Sequence, residues 1–161
     1  MKYSENQALA KVAAYCSKAE RSEFDVKRKL QNWEMTEEAI RNILKRLKDE
    51  QFLNEERFCE AFVKDKIRFN KWGKSKIIYE LKKKQISPQS IQLCFEDIDT
   101  QLINDQLYSI LITKSRSVKA NNEYEKRNKL IRFALGRGYE LDQVLKTISK
   151  ILTTDNDEFS S

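Results

Sequence analysis

Two stretches of the chain carry positive charge at a density that suits binding to phosphate groups. From Lys64 to Lys84 nine Lys or Arg residues stand against two acidic residues, and from Lys114 to Arg137 eight stand against two. Such clusters bind polyanions through phosphate contacts and counterion release, without reading bases. The residues that we assign to this function are Lys64, Arg68, Lys71, Trp72, Lys74, Lys76, Lys82, Lys83, Lys84, Lys126, Arg127, Arg132 and Arg137.

Aromatic side chains lie inside the first basic stretch. Trp72 stands beside Gly73, and an exposed ring there would stack on an unpaired base, with Phe69 as a second candidate. The alternative is that Trp72 packs at a turn while Gly73 gives the backbone freedom before the next helix. The run Lys82 to Lys84 has its own alternative as the last turn of a helix, where the helix dipole favours cations.

The residue types that carry out catalysis or bind metals are scarce. The chain has no histidine, which excludes Ser-His-Asp and Cys-His nucleophiles and His-ligated zinc. Cys16, Cys59 and Cys94 are far apart in sequence and form no C-x-x-C pair, so we expect small hydrophobic side chains and no disulfide framework. We therefore expect no catalytic residue, no metal site, no cofactor and no enzymatic activity.

One glycine-containing string deserves comparison with a phosphate-binding loop. Gly136-Arg137-Gly138 lacks both a third glycine and a Gly-Lys-Ser/Thr ending, and it follows a predicted helix, not a strand. The string is more typical of a helix C-terminus with Gly138 in a left-handed cap and Arg137 exposed.

The elements that position these residues are predicted to be helices. Three Gly and one Pro in 161 residues leave few turn residues for a many-stranded sheet, and Lys, Glu, Leu, Arg, Gln and Ala are abundant. Apolar residues recur at helical spacing in four places: Leu9, Val12, Ala13 and Cys16; Ile40, Ile43, Leu44 and Leu47; Ile103, Leu107, Ile110 and Leu111; Val144, Ile148, Ile151 and Leu152. We predict an all-α fold.

Helix starts divide these stripes into short helices. Ser4 with Gln7 and Ser22 with Asp25 match capping boxes, and Thr36 followed by two glutamates matches an N-cap with acids in the first turn. Ser87-Pro88 combines an N-cap serine with proline at the first helical position, where a missing N–H costs nothing.

A repeat of about 50 residues runs through the chain. Met35-Thr36-x-x-x-Ile40 recurs 51 residues later as Ile86-Ser87-x-x-x-Ile91, and Tyr139-Glu140-x-x-x-Val144 follows 53 residues after that. Leu30, Leu81 and Ala134 each stand five positions before the apolar residue of their copy. We predict an elongated tandem array of three three-helix units, residues 1–53, 54–99 and 100–153, followed by a disordered acidic tail at 154–161.

The same array would align its charged helix junctions. Both basic stretches span the first-to-second helix junction of their unit, so stacked units with a repeated geometry would place them on related surfaces as one basic stripe. No segment resembles a signal peptide or a membrane span, and we expect a soluble cytoplasmic monomer without a membrane partner.

Several strings together resemble one protein family. They are Arg21-Ser22 before a helix that ends near Leu30, the helix Thr36 to Leu47, the segment Phe52 to Phe58, Trp72-Gly73 with Ile77 and Leu81, and Arg137-Gly138-Tyr139. This succession resembles the RecX family of bacterial recombination regulators from about Leu9 to Leu152. Glu55 stands where the family usually has Asp, Tyr139 where it usually has Phe, and Tyr15-Cys16 makes the first unit less typical.

The resemblance implies a fold and a partner. It implies three tandem three-helix units without a cofactor or catalytic centre, which bind the RecA recombinase filament on single-stranded DNA. Such binding would inhibit the recombinase, ATPase and co-protease activities of RecA and so dampen the SOS response, DNA recombination and DNA repair. From the residues alone, two other functions stay open: a sequence-nonspecific DNA-binding helical module, and a purely structural helical adaptor.

Overall fold

The chain folds into α-helices. The structure, a computed structural model, describes the backbone of residues 2–160 and the side chains of residues 2–153. Its helices are α1 (Glu5–Lys18), α2 (Glu23–Asn32), α3 (Glu37–Asp49), α4 (Glu55–Asp65), α5 (Lys74–Lys83), α6 (Pro88–Glu96), α7 (Thr100–Ser117), α8 (Glu123–Gly136) and α9 (Leu141–Ser160), and α4 continues into a π-helical turn, Lys66–Asn70. No strand occurs in this part of the chain, so the all-α prediction is confirmed. The predicted tail, 154–161, lies outside the residues with described side chains.

The helices begin where the sequence predicts. Ser4 accepts a hydrogen bond from the Gln7 backbone N–H at 3.1 Å and the Gln7 side chain accepts one from Ser4 N–H at 2.9 Å, which completes the capping box. Ser22 caps α2 and Thr36 caps α3 through the N–H groups of the third helical residues. Helix α6 begins at Pro88, as predicted, with Ser87 Oγ accepting from the Ser90 N–H at 3.2 Å.

Helices α2, α5 and α8 end in the same hydrogen-bonded motif. A residue with positive φ ends each helix: Glu34 at 57°, Gln85 at 60° and Gly138 at 96°. The next residue donates its backbone N–H to a carbonyl five positions back: Met35 to Leu30, Ile86 to Leu81 and Tyr139 to Ala134, at 3.2, 3.2 and 3.3 Å. All six residues of these pairs are buried. This motif closes a helix and packs its two apolar ends together, which explains the five-residue spacing of the sequence repeat.

The helices form two compact units. Unit 1 comprises Met1–Phe62 and Glu80–Glu96, and unit 2 comprises Val63–Tyr79 and Asp97–Ser161, so the division passes through α4 and α5. In unit 1, buried residues of α1, α2 and α3 form one core around Val12, Leu30 and Ile43. In unit 2, α7, α8 and α9 form another around Leu111 and Leu130. The repeat boundaries proposed from the sequence stay a prediction.

Candidate nucleic-acid interface

Unit 2 carries most of the net positive charge of the chain. It contains 16 Lys and Arg residues and 11 Asp and Glu residues, a formal net charge of +5, whereas unit 1 contains 15 and 14, a net charge of +1. Unit 2 contains the whole second basic stretch, and it contains the first basic stretch as far as Lys76. An anionic partner would therefore be attracted to unit 2 more strongly than to unit 1.

A contact between two glycines brings the two basic stretches together in unit 2. Gly73 donates its N–H to the Arg137 carbonyl at 2.8 Å, and Ser75 donates its N–H to the Gly138 carbonyl at 3.0 Å. A Cβ on Gly73 would overlap the Gly138 carbonyl, and one on Gly138 would overlap the Lys76 backbone and Cβ. Gly73 is therefore required for this close approach, and not for the backbone freedom that the sequence suggested.

The hydroxyl of Tyr139 adds a third link between the basic stretches. It donates a hydrogen bond to the Lys71 carbonyl at 2.8 Å, and the side chain is 4 % exposed. Burial raises the pKa of this phenol to about 12, although the nearby Arg137 guanidinium opposes the shift. Gly138, next to Tyr139, has the left-handed conformation predicted for the end of α8.

Trp72 is half-buried and its ring is flanked by two lysines. The Lys66 Nζ lies 5.0 Å and the Lys76 Nζ 4.6 Å from the ring centroid, and the Trp72 N–H donates to the Lys66 carbonyl at 3.0 Å. These contacts hold both ammonium groups in place by cation–π attraction. They also fit the alternative that Trp72 packs at a turn; base stacking by Trp72 stays a prediction.

Phe133 forms a second arrangement of this kind in unit 2. The Lys114 Nζ lies 5.1 Å and the Arg137 guanidinium carbon 5.0 Å from its ring centroid. Arg137 is half-buried, and not fully exposed as the sequence suggested. Both rings therefore position cations of the two basic stretches, which would lower the entropic cost of any phosphate contact that these cations make.

The other predicted residues of unit 2 differ in exposure. Lys64, Arg68, Lys74 and Arg132 are exposed, while Lys71, Lys126 and Arg127 are half-buried. The Lys71 ammonium donates to Ser109 Oγ at 3.1 Å. Among the described residues, no carboxylate pairs with Arg68, Lys126, Arg127 or Arg132. These four cations are available to phosphate groups.

The lysine run Lys82 to Lys84 belongs to unit 1, whereas the other predicted residues belong to unit 2. Lys84 donates to the Asp25 carboxylate at 2.6 Å, and the Lys83 ammonium lies 3.5 Å from Glu80. Asp25, predicted as a helix-capping partner of Ser22, uses its carboxylate for this ion pair. Local carboxylates thus neutralise part of the run, and its helix-end position in α5 agrees with the structural alternative.

A carboxylate network in unit 1 was missed by the sequence reasoning. Glu55, in the first turn of α4, accepts hydrogen bonds from Ser87 Oγ at 3.1 Å and Ser90 Oγ at 2.7 Å, which ties α4 to the start of α6. It lines a groove of about 640 Å³ together with both acidic and basic side chains, among them Glu23, Lys48 and Lys84. Glu55 and Ser87 are 32 residues apart in the sequence, so no local pattern could predict this network.

The cysteines behave as buried hydrophobic residues. Cys16 and Cys59 are buried, Cys94 is half-buried, and burial raises the pKa of all three thiols. The Cys59 thiol donates to the Ser90 carbonyl at 3.7 Å, and Cys94 lies close enough to contribute to the raised pKa of Cys59, a proximity that their separation in sequence did not reveal. Residues with described side chains contain no cluster of three His, Cys, Asp or Glu that could hold a metal ion. They also include no helix long and apolar enough for a membrane span.

Family models and known proteins match the sequence of this chain. The model "RecX, first three-helix domain" matches residues 8–47, and "RecX, second three-helix domain" matches residues 54–93. "Regulatory protein RecX" of Clostridium perfringens strain 13 is 30 % identical over 139 residues, which cover 85 % of this chain and 63 % of that protein. The protein of the same name from Clostridium beijerinckii is 29 % identical, covering 97 % of this chain and 74 % of its own length.

Two solved structures share the fold. A crystal structure of regulatory protein RecX superposes with a TM-score of 0.81 at 19 % identity, covering 90 % of this chain and 71 % of that one. RecX from Lactobacillus salivarius gives 0.78 at 19 % identity, covering 91 % and 95 %. The chain is thus of the class of all-helical proteins built from tandem three-helix domains. It belongs to the RecX family, as its sequence strings suggested, and spans less than two thirds of the Clostridium perfringens relative.

Proposed function

We propose that this chain binds the RecA recombinase filament on single-stranded DNA and inhibits its recombinase, ATPase and co-protease activities. Membership of the RecX family carries this proposal, since the relatives are named regulatory proteins. The chain acts as a cytoplasmic monomer, uses no cofactor and catalyses no reaction itself. Inhibition would dampen strand exchange and the SOS response.

The charge of unit 2 supports the DNA part of the proposal. The filament carries a phosphate backbone, and a unit with a net charge of +5 would be steered to it and held by phosphate contacts. Binding of this kind is insensitive to base sequence. We assign the contacts to the members of the predicted set that lie in unit 2, with Lys82, Lys83 and Lys84 as weaker contributors because Glu80 and Asp25 lie beside them.

The test is to add the purified chain to RecA on single-stranded DNA and follow ATP hydrolysis. We expect the rate to fall as the chain is added, because filament is lost or fails to extend. The chain with ATP and DNA but without RecA is the control, and it should hydrolyse nothing. Unchanged hydrolysis by RecA at saturating amounts of the chain would contradict the proposal.

The same charge favours a second candidate, a sequence-nonspecific DNA-binding module that acts without RecA. This candidate predicts that inhibition comes from competition for DNA alone. Raising the DNA concentration would then relieve inhibition in full. Inhibition that persists in excess DNA supports a contact with the filament itself.

A further inference from the structure

One large apolar side chain of unit 2 stands out by its exposure and position. Phe69 is 80 % exposed, more than any other large hydrophobic residue with a described side chain. An isolated exposed apolar residue is common on protein surfaces and has no meaning by itself. Phe69, however, lies within the first basic stretch, next to the exposed Arg68 and between Lys66 and Lys71.

The backbone under Phe69 is a π-helical turn that neighbouring elements fix in place. Ile67, inside the turn, is fully buried, and the Trp72 N–H closes it by donating to the Lys66 carbonyl. Lys71 ends the turn in a left-handed conformation with φ at 53°. Its carbonyl accepts from Tyr139 and its ammonium donates to Ser109, so contacts from α7 and from the α8–α9 connection hold it. Single π-helical turns within α-helices are frequent at functional sites.

The neighbouring aromatic residue does not present its ring in this way. Lysines flank the ring of Trp72, whereas the structure records no ring or cation contact for Phe69 among the described residues. A solvent-facing ring on a fixed turn, with cationic residues on both sides of it in the sequence, matches the two parts of a single-stranded nucleotide, its base and its phosphate.

We propose that Phe69 is the stacking platform for an unpaired base and that it gives unit 2 a preference for single-stranded nucleic acid. This inference deepens the proposed function and rests on it for the identity of the polymer. A protein partner is less well matched, since the centres of protein interfaces are depleted in charge and Phe69 stands among cations. In a duplex the bases are already stacked, so the ring would have no free face to contact.

The experiment compares two oligonucleotides of equal length and charge, one with normal bases and one made of abasic sites. Their affinities for the full chain are measured by fluorescence anisotropy at one fixed, low salt concentration. Wild-type protein should bind the base-bearing strand about 5-fold or more tightly than the abasic strand, the range that base–aromatic stacking supports. Phe69→Leu keeps an apolar side chain without a ring and should lose most of this preference.

Two further variants serve as controls. Phe69→Trp retains a ring and should keep the preference for bases. Leu93→Ala removes another exposed apolar side chain, 51 % exposed and in unit 1, and should behave as wild type. Circular dichroism should show the same helicity for all variants, because the Phe69 side chain contributes little to the core.

The results separate this inference from the proposed function. Equal preference for bases in Phe69→Leu and wild type, or no binding of either strand by wild type, would overturn the stacking role. Phe69→Leu with unchanged DNA preference but weaker inhibition of RecA would identify a protein anchor and also overturn it. A base preference lost in Phe69→Leu, in a wild-type chain that fails to inhibit RecA, would uphold the stacking role while the proposed function fails.

Discussion

At the scale of single residues, Tyr139 shows how one buried polar group joins the two charged segments. Its hydroxyl reaches the Lys71 carbonyl across 68 positions of sequence, and Lys71 closes the turn that presents Phe69. A buried donor is stabilising when it is paired and costly when it is not. A phenylalanine at this position would lack the bond, so the hydroxyl itself supplies this link.

Tyr139 should make the stability of the protein depend on alkaline pH. Its pKa is about 12 in the folded protein and near 10 in an unfolded chain, so the unfolded state loses its proton first. The contribution of Tyr139 to the free energy of unfolding is complete below pH 10 and falls by about 2 kcal/mol as the pH rises to 12. Urea unfolding at several pH values between 8 and 12 measures this loss.

The matched variant is Tyr139→Phe. At neutral pH it should lower the free energy of unfolding by about 1 kcal/mol through loss of the hydrogen bond. The part of the loss of unfolding free energy at alkaline pH that comes from this phenol should disappear in the variant. The difference in phenolate absorbance between wild type and variant should appear with a midpoint near pH 12. A difference that titrates near pH 10 would show that Tyr139 is not buried as described.

At the scale of elements, the contact between the α8–α9 connection and the start of α5 has no space for side chains. Gly138 combines a φ of 96° with the closeness of the Lys76 backbone, so two separate constraints require glycine there. Gly136, two residues earlier at the end of α8, has nothing within 4 Å of a built Cβ. The two glycines therefore give a matched pair of substitutions within one connection.

We expect Gly138→Ala to destabilise the protein by about 2 kcal/mol or more, since backbone strain and a steric clash add together. Gly136→Ala should leave stability unchanged or raise it by about 0.5 kcal/mol, because alanine favours helix. Thermal unfolding followed by circular dichroism compares the two. Equal melting temperatures for Gly138→Ala and Gly136→Ala would mean that the close approach does not form.

The elements could be predicted from the sequence because their signals are local. Ser4, Thr36 and Pro88 bond or fit within one helical turn, so their residue types alone predict helix starts. The spacing from Leu30 to Met35 is likewise local, and it corresponds to a single backbone hydrogen bond. The role of Gly73 could not be predicted, because its partner Gly138 lies 65 positions away and a glycine gives no signal of which distant residue it contacts.

At the scale of the whole molecule, charge divides unequally between the two units. The sequence showed two basic stretches of similar charge, but it could not show that most of both belongs to unit 2 while Lys82 to Lys84 belongs to unit 1. That division depends on which segments pack together, and it cuts α4 between Phe62 and Val63 without any change in helical pattern. A continuous basic stripe along three stacked domains stays a prediction.

Three variants that each remove three positive charges test this division. The first variant removes cations of unit 2 by changing Lys126, Arg127 and Arg132 to Gln. The second removes the lysine run by changing Lys82, Lys83 and Lys84 to Gln. The third removes exposed cations of unit 1 outside the predicted site by changing Lys18, Arg41 and Lys45 to Gln. If all three cations of unit 2 contact phosphates, their loss should reduce the slope of log K against log salt concentration, measured for single-strand binding, by about 2. The lysine run should have a smaller effect and the last set almost none.

Net charge alone would give a different pattern. All three variants lower the net charge by the same amount, so nonspecific attraction predicts equal losses of affinity and equal slopes. Titration of a labelled single strand at several salt concentrations distinguishes the patterns, with circular dichroism as the check on folding. Equal slopes in the three variants would contradict the assignment of the binding surface to unit 2.

We propose that the cationic surface of unit 2 enables this chain to act on the RecA filament. The most direct measurement is the amount of protein needed to halve ATP hydrolysis by RecA on single-stranded DNA, compared between the unit 2 variant and the matched Lys18, Arg41 and Lys45 variant. We predict that the unit 2 variant needs at least tenfold more protein than wild type, while the matched variant needs the same amount. Equal inhibition by both variants would contradict the account.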